Sequence, residues 1–320
     1  MRVVLTFDVE VWCDGWDRLD EVFPAQFERY VYGRSRHGAY ALPATLEILK
    51  RHGLTGVFFV EPLFSARFGA QYLKQIVDLI LRDGHDVQLH VHPEWVDEIV
   101  PPIIPNHAVK RQHLCYYDTD EQAAIIAFGK QLLAEAGAGD IVSFRAGSYA
   151  ANKASYEALR RNGIFVDSSM NACFEISGAD LRSSHSLRMP FTQAGVASHP
   201  VTVFRDGFGR WRPAQVGACS FEELRDAMAS ARSEGCINFV IVSHNFELLK
   251  ADSSEPDRVV VRRFERLCAH LAASRDRLSV GGFRALADDA PQRASASAPY
   301  AVGTLATVRR YVEQAVRRFQ

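Results

Sequence analysis

The stretch Val87-Gln88-Leu89-His90-Val91-His92-Pro93-Glu94-Trp95 runs apolar and then ends in two histidines, a proline and a carboxylate. Imidazole and carboxylate are donors that a borderline divalent ion such as zinc accepts, and a strand end can present them over a pocket. Taken alone, the pair reads equally as a strand end carrying surface histidines. The rest of the chain shifts that balance, because other apolar runs end the same way. Residues 2–7 are β-branched and apolar, and Asp8-Val9-Glu10 follow at once. An extended chain turns two carboxylates at that spacing to one side. The runs 141–144, 164–166 and 237–242 end in Arg145, in Asp167 and in Ser243-His244. Each of these residues singly fits a surface or pairing role. Their recurrence at one topological position points instead to a shared functional site.

The elements that must position these groups alternate. Helical patterns over 25–32, 43–52, 70–82, 118–137, 152–162, 221–234 and 257–273 separate the apolar runs, and Gly53, Gly84 and Gly137 stand just past helix ends. Over 70–82 the expected inner face is Tyr72, Ile76, Leu79 and Ile80. Glycine-bounded apolar runs alternating with helices predict parallel strands covered by helices. In α/β barrels of that kind the functional groups come from the C-terminal ends of several strands. Residues 96–117 break the rhythm with Pro101-Pro102 and Pro105, and predict a long loop over the pocket. Its Arg111, Tyr116 and Tyr117 suit an anionic substituent and a sugar face. Val196–Phe204 reads as one strand, and a short strand is expected near Leu278.

Residues 289–299 are rich in Ala, Ser and Pro and read as a linker, which leaves 1–288 as one α/β domain. Beyond it, 300–320 predicts a basic amphipathic helix that either docks its apolar side on the domain or contacts a membrane surface or partner. The chain has 320 residues, 48% hydrophobic, with a formal net charge of −1. That balance gives no electrostatic case for nucleic acid or anionic membrane. Six cysteines without CxxC spacing argue against a zinc ribbon or a disulfide framework and suit free thiols. No apolar run approaches the roughly 18–20 residues of a membrane span, and the first strand leaves no room for a signal peptide. The expectation is a soluble cytoplasmic protein.

Five segments, in order, resemble the motifs of the polysaccharide deacetylases, carbohydrate esterase family 4. They are Thr6-Phe7-Asp8-Val9-Glu10, Gly84-His85-Asp86 to His90, Phe144-Arg145-Ala146-Gly147-Ser148-Tyr149, Val166-Asp167-Ser168-Ser169 and Val242-Ser243-His244. The resemblance spans roughly residues 1–250 and implies a distorted (β/α) barrel, often of seven strands. It also implies metal-dependent hydrolysis of N-acetyl groups on a carbohydrate. Carried over, Asp8 is the general base, Arg145 its partner and His244 the general acid. Glu10 and His90 are metal ligands, with zinc the first candidate. Tyr149, Asp167, Tyr116 and Tyr117 are the candidates for substrate contact.

The chain departs from the family twice. The second acid of the first motif is Glu10, one position later than usual, and four residues beyond His90 stands Glu94 where a histidine is usual, with His92 between them. The third ligand is therefore His92 or Glu94, and added oxygen donors relax a preference for zinc. Three other readings stay open: hydrolysis of another C–N bond such as a cyclic amide or ureide, a glycosidase working with Asp8 and Glu10, and a carbohydrate-binding module without turnover.

Overall fold

The structure is a computed structural model that describes residues 1–179, 181, 188–284 and 299–318. The expected linker, 289–299, lies outside the described residues apart from Pro299. β1 (Arg2–Val9) is followed by α1 (Leu19–Phe27), the small hairpin β2 (Arg34–Ser35) and β3 (Gly38–Ala39), and α2 (Leu42–Arg51). Next come β4 (Val57–Val60), α3 (Phe64–Phe68), α4 (Ala70–Arg82), β5 (Asp86–Val91), α5 (Thr119–Glu135), β6 (Ser143–Ala146), α6 (Lys153–Arg161) and β7 (Val166–Asp167). The short strands β8 (Phe191–Gln193), β9 (Val196–Ser198), β10 (Val203–Arg205) and β11 (Trp211–Pro213) lead to α7 (Phe221–Ser233) and β12 (Asn238–His244). The chain closes with α8 (Arg258–Ala273), β13 (Ser279–Val280) and α9 (Thr304–Arg317). The architecture is α/β with mostly parallel strands, as the alternation predicts.

Two compact units make up the chain, one of Met1–Gly56, Thr202–Gly281 and the described C-terminal residues, the other of Val57–Val201 and the residues from Gly282. In the first, β1 lies between β12 and β13, parallel to both, in a register that sets Asp8 opposite His244. Val3, Val4, Leu5 and Phe7 of β1 and Phe239 to Val242 of β12 are each no more than 2% exposed. Strands covered on both faces read as unbroken apolar runs for this reason. In the second unit β4, β5, β6, β7 and β9 are parallel in that order, and β8 returns antiparallel on β9.

Helix ends carry their own signals. Asp118, Asn152 and Ser220 each close a capping box on α5, α6 and α7. The inner face of α4 is Leu73, Ile76, Val77 and Ile80, one position round from the expected face. The helix expected over 25–32 begins at Leu19 and finishes as a π-helical turn over Glu28–Tyr32, with Pro24 inside α1. The single strand expected over Val196–Phe204 is two: after Ser198 the chain passes through His199 and Pro200, and proline offers no N–H to a ladder. Residues 96–117 form a packed loop in which Ile99, Ile104, Leu114 and Tyr117 are buried.

α9 docks, though not by an apolar side. Its buried residues are Ala306, Thr307 and Arg310, while Leu305, Val308, Val312 and Val316 stay exposed. Arg310 Nε lies 3.0 Å from both carboxylate oxygens of Glu223, and its Nη2 lies 2.9 Å from Asp206.

Candidate active site

In the first unit the β1–β12 register brings a carboxylate and an imidazole together: His244 Nε2 stands 4.0 Å from Asp8 Oδ2. Asp8 is 2% and Glu10 7% exposed. Asn245 fixes the backbone that carries them. Its Oδ1 accepts from Glu10 N at 3.1 Å, its Nδ2 donates to Glu10 O at 3.0 Å, and its own N–H donates to Asp8 O at 3.1 Å. Trp12 Nε1 donates to the Glu10 carboxylate at 2.7 Å. One ligand atom each from Asp8, Glu10 and His244 lies within 4.8 Å of the others.

Glu247, one turn past His244, holds the other face of the ring. Its carboxylate is 3.0 Å from His244 Nδ1, and it also accepts from Gly217 N, Ser243 Oγ and the Gln215 amide. Burial pulls the His244 pKa down, but the Glu247 hydrogen bond and the charges of Glu247, Glu10 and Asp8 more than reverse this and lift it to about 9. Burial pushes Glu247 up in turn, and the His244 contact brings it below the usual carboxylate range. The result is a protonated imidazole aimed by one carboxylate at another.

In the second unit β5 and β6 set His90 opposite Arg145. His90 Nδ1 donates to Arg145 O at 2.7 Å, which in the neutral ring selects the tautomer with its lone pair on Nε2. The His90 and His92 rings cross at 82° with centroids 4.8 Å apart. His92 Nδ1 lies 3.3 Å from Glu94 Oε2. Gly147 supports the His92 ring, since a Cβ there would stand 2.6 Å from two of its atoms. Arg145, fully buried, donates from Nε to Ser168 O and from Nη2 to Ser168 Oγ, both at 3.0 Å, with its guanidinium 4.4 Å over the Phe59 ring.

The expected substrate residues divide. Tyr149 is half-buried, in a left-handed conformation at φ 58° beside Ser148 at φ 53°, with its ring 5.1 Å from Phe174. Two such residues in succession mark the kind of strain that collects at functional sites. Tyr116 is 47% exposed. Tyr117 is buried, its hydroxyl directed at Pro93 O and Arg111 O and its ring under the Arg111 guanidinium at 3.6 Å. Asp167 is fully buried and accepts from Tyr156 OH at 2.8 Å, Ser198 Oγ at 3.1 Å and Ser169, tying α6, β7 and β9. Burial raises its pKa despite these bonds.

Sequence reasoning passed over Asn245, Glu247 and Glu61. Glu61 follows β4 directly, is 1% exposed and accepts from Leu63 N at 2.8 Å and Phe64 N at 3.3 Å. Burial pushes its carboxyl up to about 8, against the backbone bonds and the charge of His92. The strand-end rule that found Arg145 and Asp167 applies to it unchanged.

Asp8, Glu10 and His244 in the first unit and His90 and His92 in the second are nitrogen and oxygen donors of the kind a divalent ion takes, without sulfur, a set that suits zinc and harder ions alike. No family model matches this sequence, and no curated protein matches it. Solved structures do. One from Mycobacterium smegmatis, named as a polysaccharide deacetylase, superposes with TM-score 0.57 at 19% identity, over 90% of this chain and 88% of that one. Another, from Pseudomonas aeruginosa PAO1 and also named as a polysaccharide deacetylase, gives TM-score 0.55 at 14% identity, over 89% of each chain. A family 4 carbohydrate esterase from Streptomyces lividans, in complex with acetate, gives TM-score 0.45 at 15% identity, over 93% of this chain and 97% of that one. The first two likenesses bear out the resemblance read from the five motifs: this chain has the fold of the polysaccharide deacetylases, a distorted (β/α) barrel.

Proposed function

We propose that this protein is a metal-dependent hydrolase that removes an N-acetyl group from a sugar, acting in the cytoplasm on a precursor of a surface polysaccharide. The observation that carries the reading is the acid–base pair at adjacent strand ends, Asp8 and His244. Asp8 is the general base and takes a proton from water as its oxygen attacks the amide carbon. His244 is the general acid and gives its Nε2 proton to the departing nitrogen, which is too basic to leave as an anion. Acetate and the free amine result. Glu247 holds the imidazole by Nδ1 and keeps it charged until that step.

Glu10, His90 and His92 are the proposed ligands of one divalent ion, zinc first among the candidates. Glu94, whose Oε2 stands 3.3 Å from His92 Nδ1, is the alternative oxygen donor beside that ring. When bound, such an ion polarises the amide carbonyl and lowers the pKa of water. Arg145, braced by Ser168 and Phe59, is the proposed partner of Asp8. Tyr149 and Tyr116 are the proposed contacts to the sugar.

The test compares metal content and acetate release in wild type and His90→Ala, over a panel of N-acetylated sugars and nucleotide sugars. The proposal expects stoichiometric metal and acetate from wild type, and loss of both in the variant. Equal metal in both proteins sinks the ligand assignment. Metal without acetate, together with turnover of a cyclic amide, moves the activity to the other C–N bond class.

A further inference from the structure

On the surface of the first unit, α7, α8 and α9 border a groove of about 1090 Å³. One wall is a stripe along α9: Leu305, Val308, Val312 and Val316 are 86%, 43%, 58% and 47% exposed. Four apolar side chains at helical spacing, left in water, are the unusual feature, since the face of α9 that packs inward is centred on Arg310. Nearby, Phe208 projects from the β10–β11 turn, 53% exposed, with its ring 6.0 Å from that of Tyr311.

The opposite wall is a stripe of arginines on α8, Arg258, Arg262 and Arg266, one turn apart. The groove as a whole is lined by six arginines and three acids. Those acids are already engaged: Glu222 lies 2.7 Å from Arg266, Asp226 2.8 Å from Arg225 and Glu313 2.7 Å from Arg263. Arg258 and Arg262 are exposed and have no ion-pair partner among the described residues. The surplus is therefore positive charge beside an apolar stripe, although the chain as a whole carries a net charge of −1.

We infer that this face docks on an anionic lipid bilayer. Leu305, Val312 and Phe208 enter the boundary between headgroups and acyl chains, while Arg258 and Arg262 lie against lipid phosphates. Charge complementarity selects this occupant, because cations with no internal acid attract an anionic surface, and an exposed apolar helix face adds burial. Leu305 at the start of α9 and Phe208 at a turn, 86% and 53% exposed, project outward, which suits insertion into lipid better than reception of a partner helix. The buried Arg310 contacts hold α9 so that its apolar stripe keeps facing out.

The test is co-sedimentation of the full chain with vesicles of phosphatidylcholine alone and of phosphatidylcholine mixed with phosphatidylglycerol, at several salt concentrations. Pelleting is expected with the mixed vesicles only, and it weakens as salt rises. Arg258→Glu/Arg262→Glu, and separately Leu305→Asp/Val312→Asp, each lower the partition coefficient at least about tenfold, since one charge at an anionic surface is worth about fivefold. All these positions are exposed, so melting by circular dichroism should match wild type, and Arg82→Glu, exposed on α4, should bind unchanged. Failure to pellet with mixed vesicles, or variants that pellet like wild type, would overturn the inference. So would a dimer seen by sedimentation velocity and lost in Leu305→Asp/Val312→Asp without any vesicle binding, which would give the face to a second copy of this chain.

Discussion

His92 is held by what its neighbour lacks. A Cβ on Gly147 would stand 2.6 Å from Cε1 and Nδ1 of the imidazole, so the ring and the main chain of the next strand's exit occupy one close contact. Gly147→Ala should push the ring off its present line. If His92 is a ligand, metal affinity measured by competition with a chromophoric chelator falls about 10–100-fold, the usual range for losing an orienting contact. The melting temperature should fall somewhat from the overpacking, and unchanged affinity would remove His92 from the ligand set. His244 answers to a charge rather than a shape. A general acid works while protonated, so activity holds below its pKa and is lost as pH rises through it. With His244 lifted to about 9, the alkaline limb of kcat/KM should lie there. Glu247→Gln removes the largest of the influences that raise it, and the limb should move to lower pH. A limb that stays put would mean that some other group sets it.

At the scale of elements, what the sequence discloses and what it hides divide by range. The exits of β1, β5, β6, β7 and β12 were legible because an unbroken apolar run that ends in an ionisable residue is a local pattern, and parallel burial demands the run. Asn245 was not, because its meaning lies in main chain that it meets across strands, 235 residues away for its bonds with Glu10, and Glu247, only three residues from His244, was passed over because it lies beyond the strand's end. The packing of α9 was hidden in the same way. Its apolar stripe was readable and suggested an apolar interface, yet the contact is made by Arg310 with Glu223 and Asp206, all buried. Removing one partner of such a group leaves the others charged and uncompensated, at a cost of about 3–5 kcal/mol. Arg310→Ala has two ways to respond. It either loses global stability by that amount in urea titration, or it releases α9, in which case trypsin cuts at Arg309 and Arg317 well before the rest of the chain. Neither loss nor early cleavage would show that the apolar residues of α9 hold it after all.

At the scale of the whole molecule, the fold was legible because the alternation of strands and helices recurs over most of the chain, so that errors in single elements left the pattern standing. The early start of α1 and the split at Pro200 moved boundaries without changing the order. The chemistry is less secure from pattern alone, since a fold can persist where a site has been lost. Ligand linkage separates the two without any substrate. A group that binds only the folded state stabilises it by RT ln(1 + [L]/Kd), about 2.7 kcal/mol at a hundredfold excess over Kd. For a large domain each kcal/mol moves the melting temperature by roughly 2–4 °C. Zinc added to the chelator-treated protein should therefore raise the transition by roughly 5–10 °C. His90→Ala should melt below the metal-free wild type, because it loses the buried bond from Nδ1 to Arg145 O, and should gain nothing from the ion, because it lacks a donor. A wild-type transition that ignores zinc, manganese and cobalt alike would leave the barrel standing and take the metal out of the proposal.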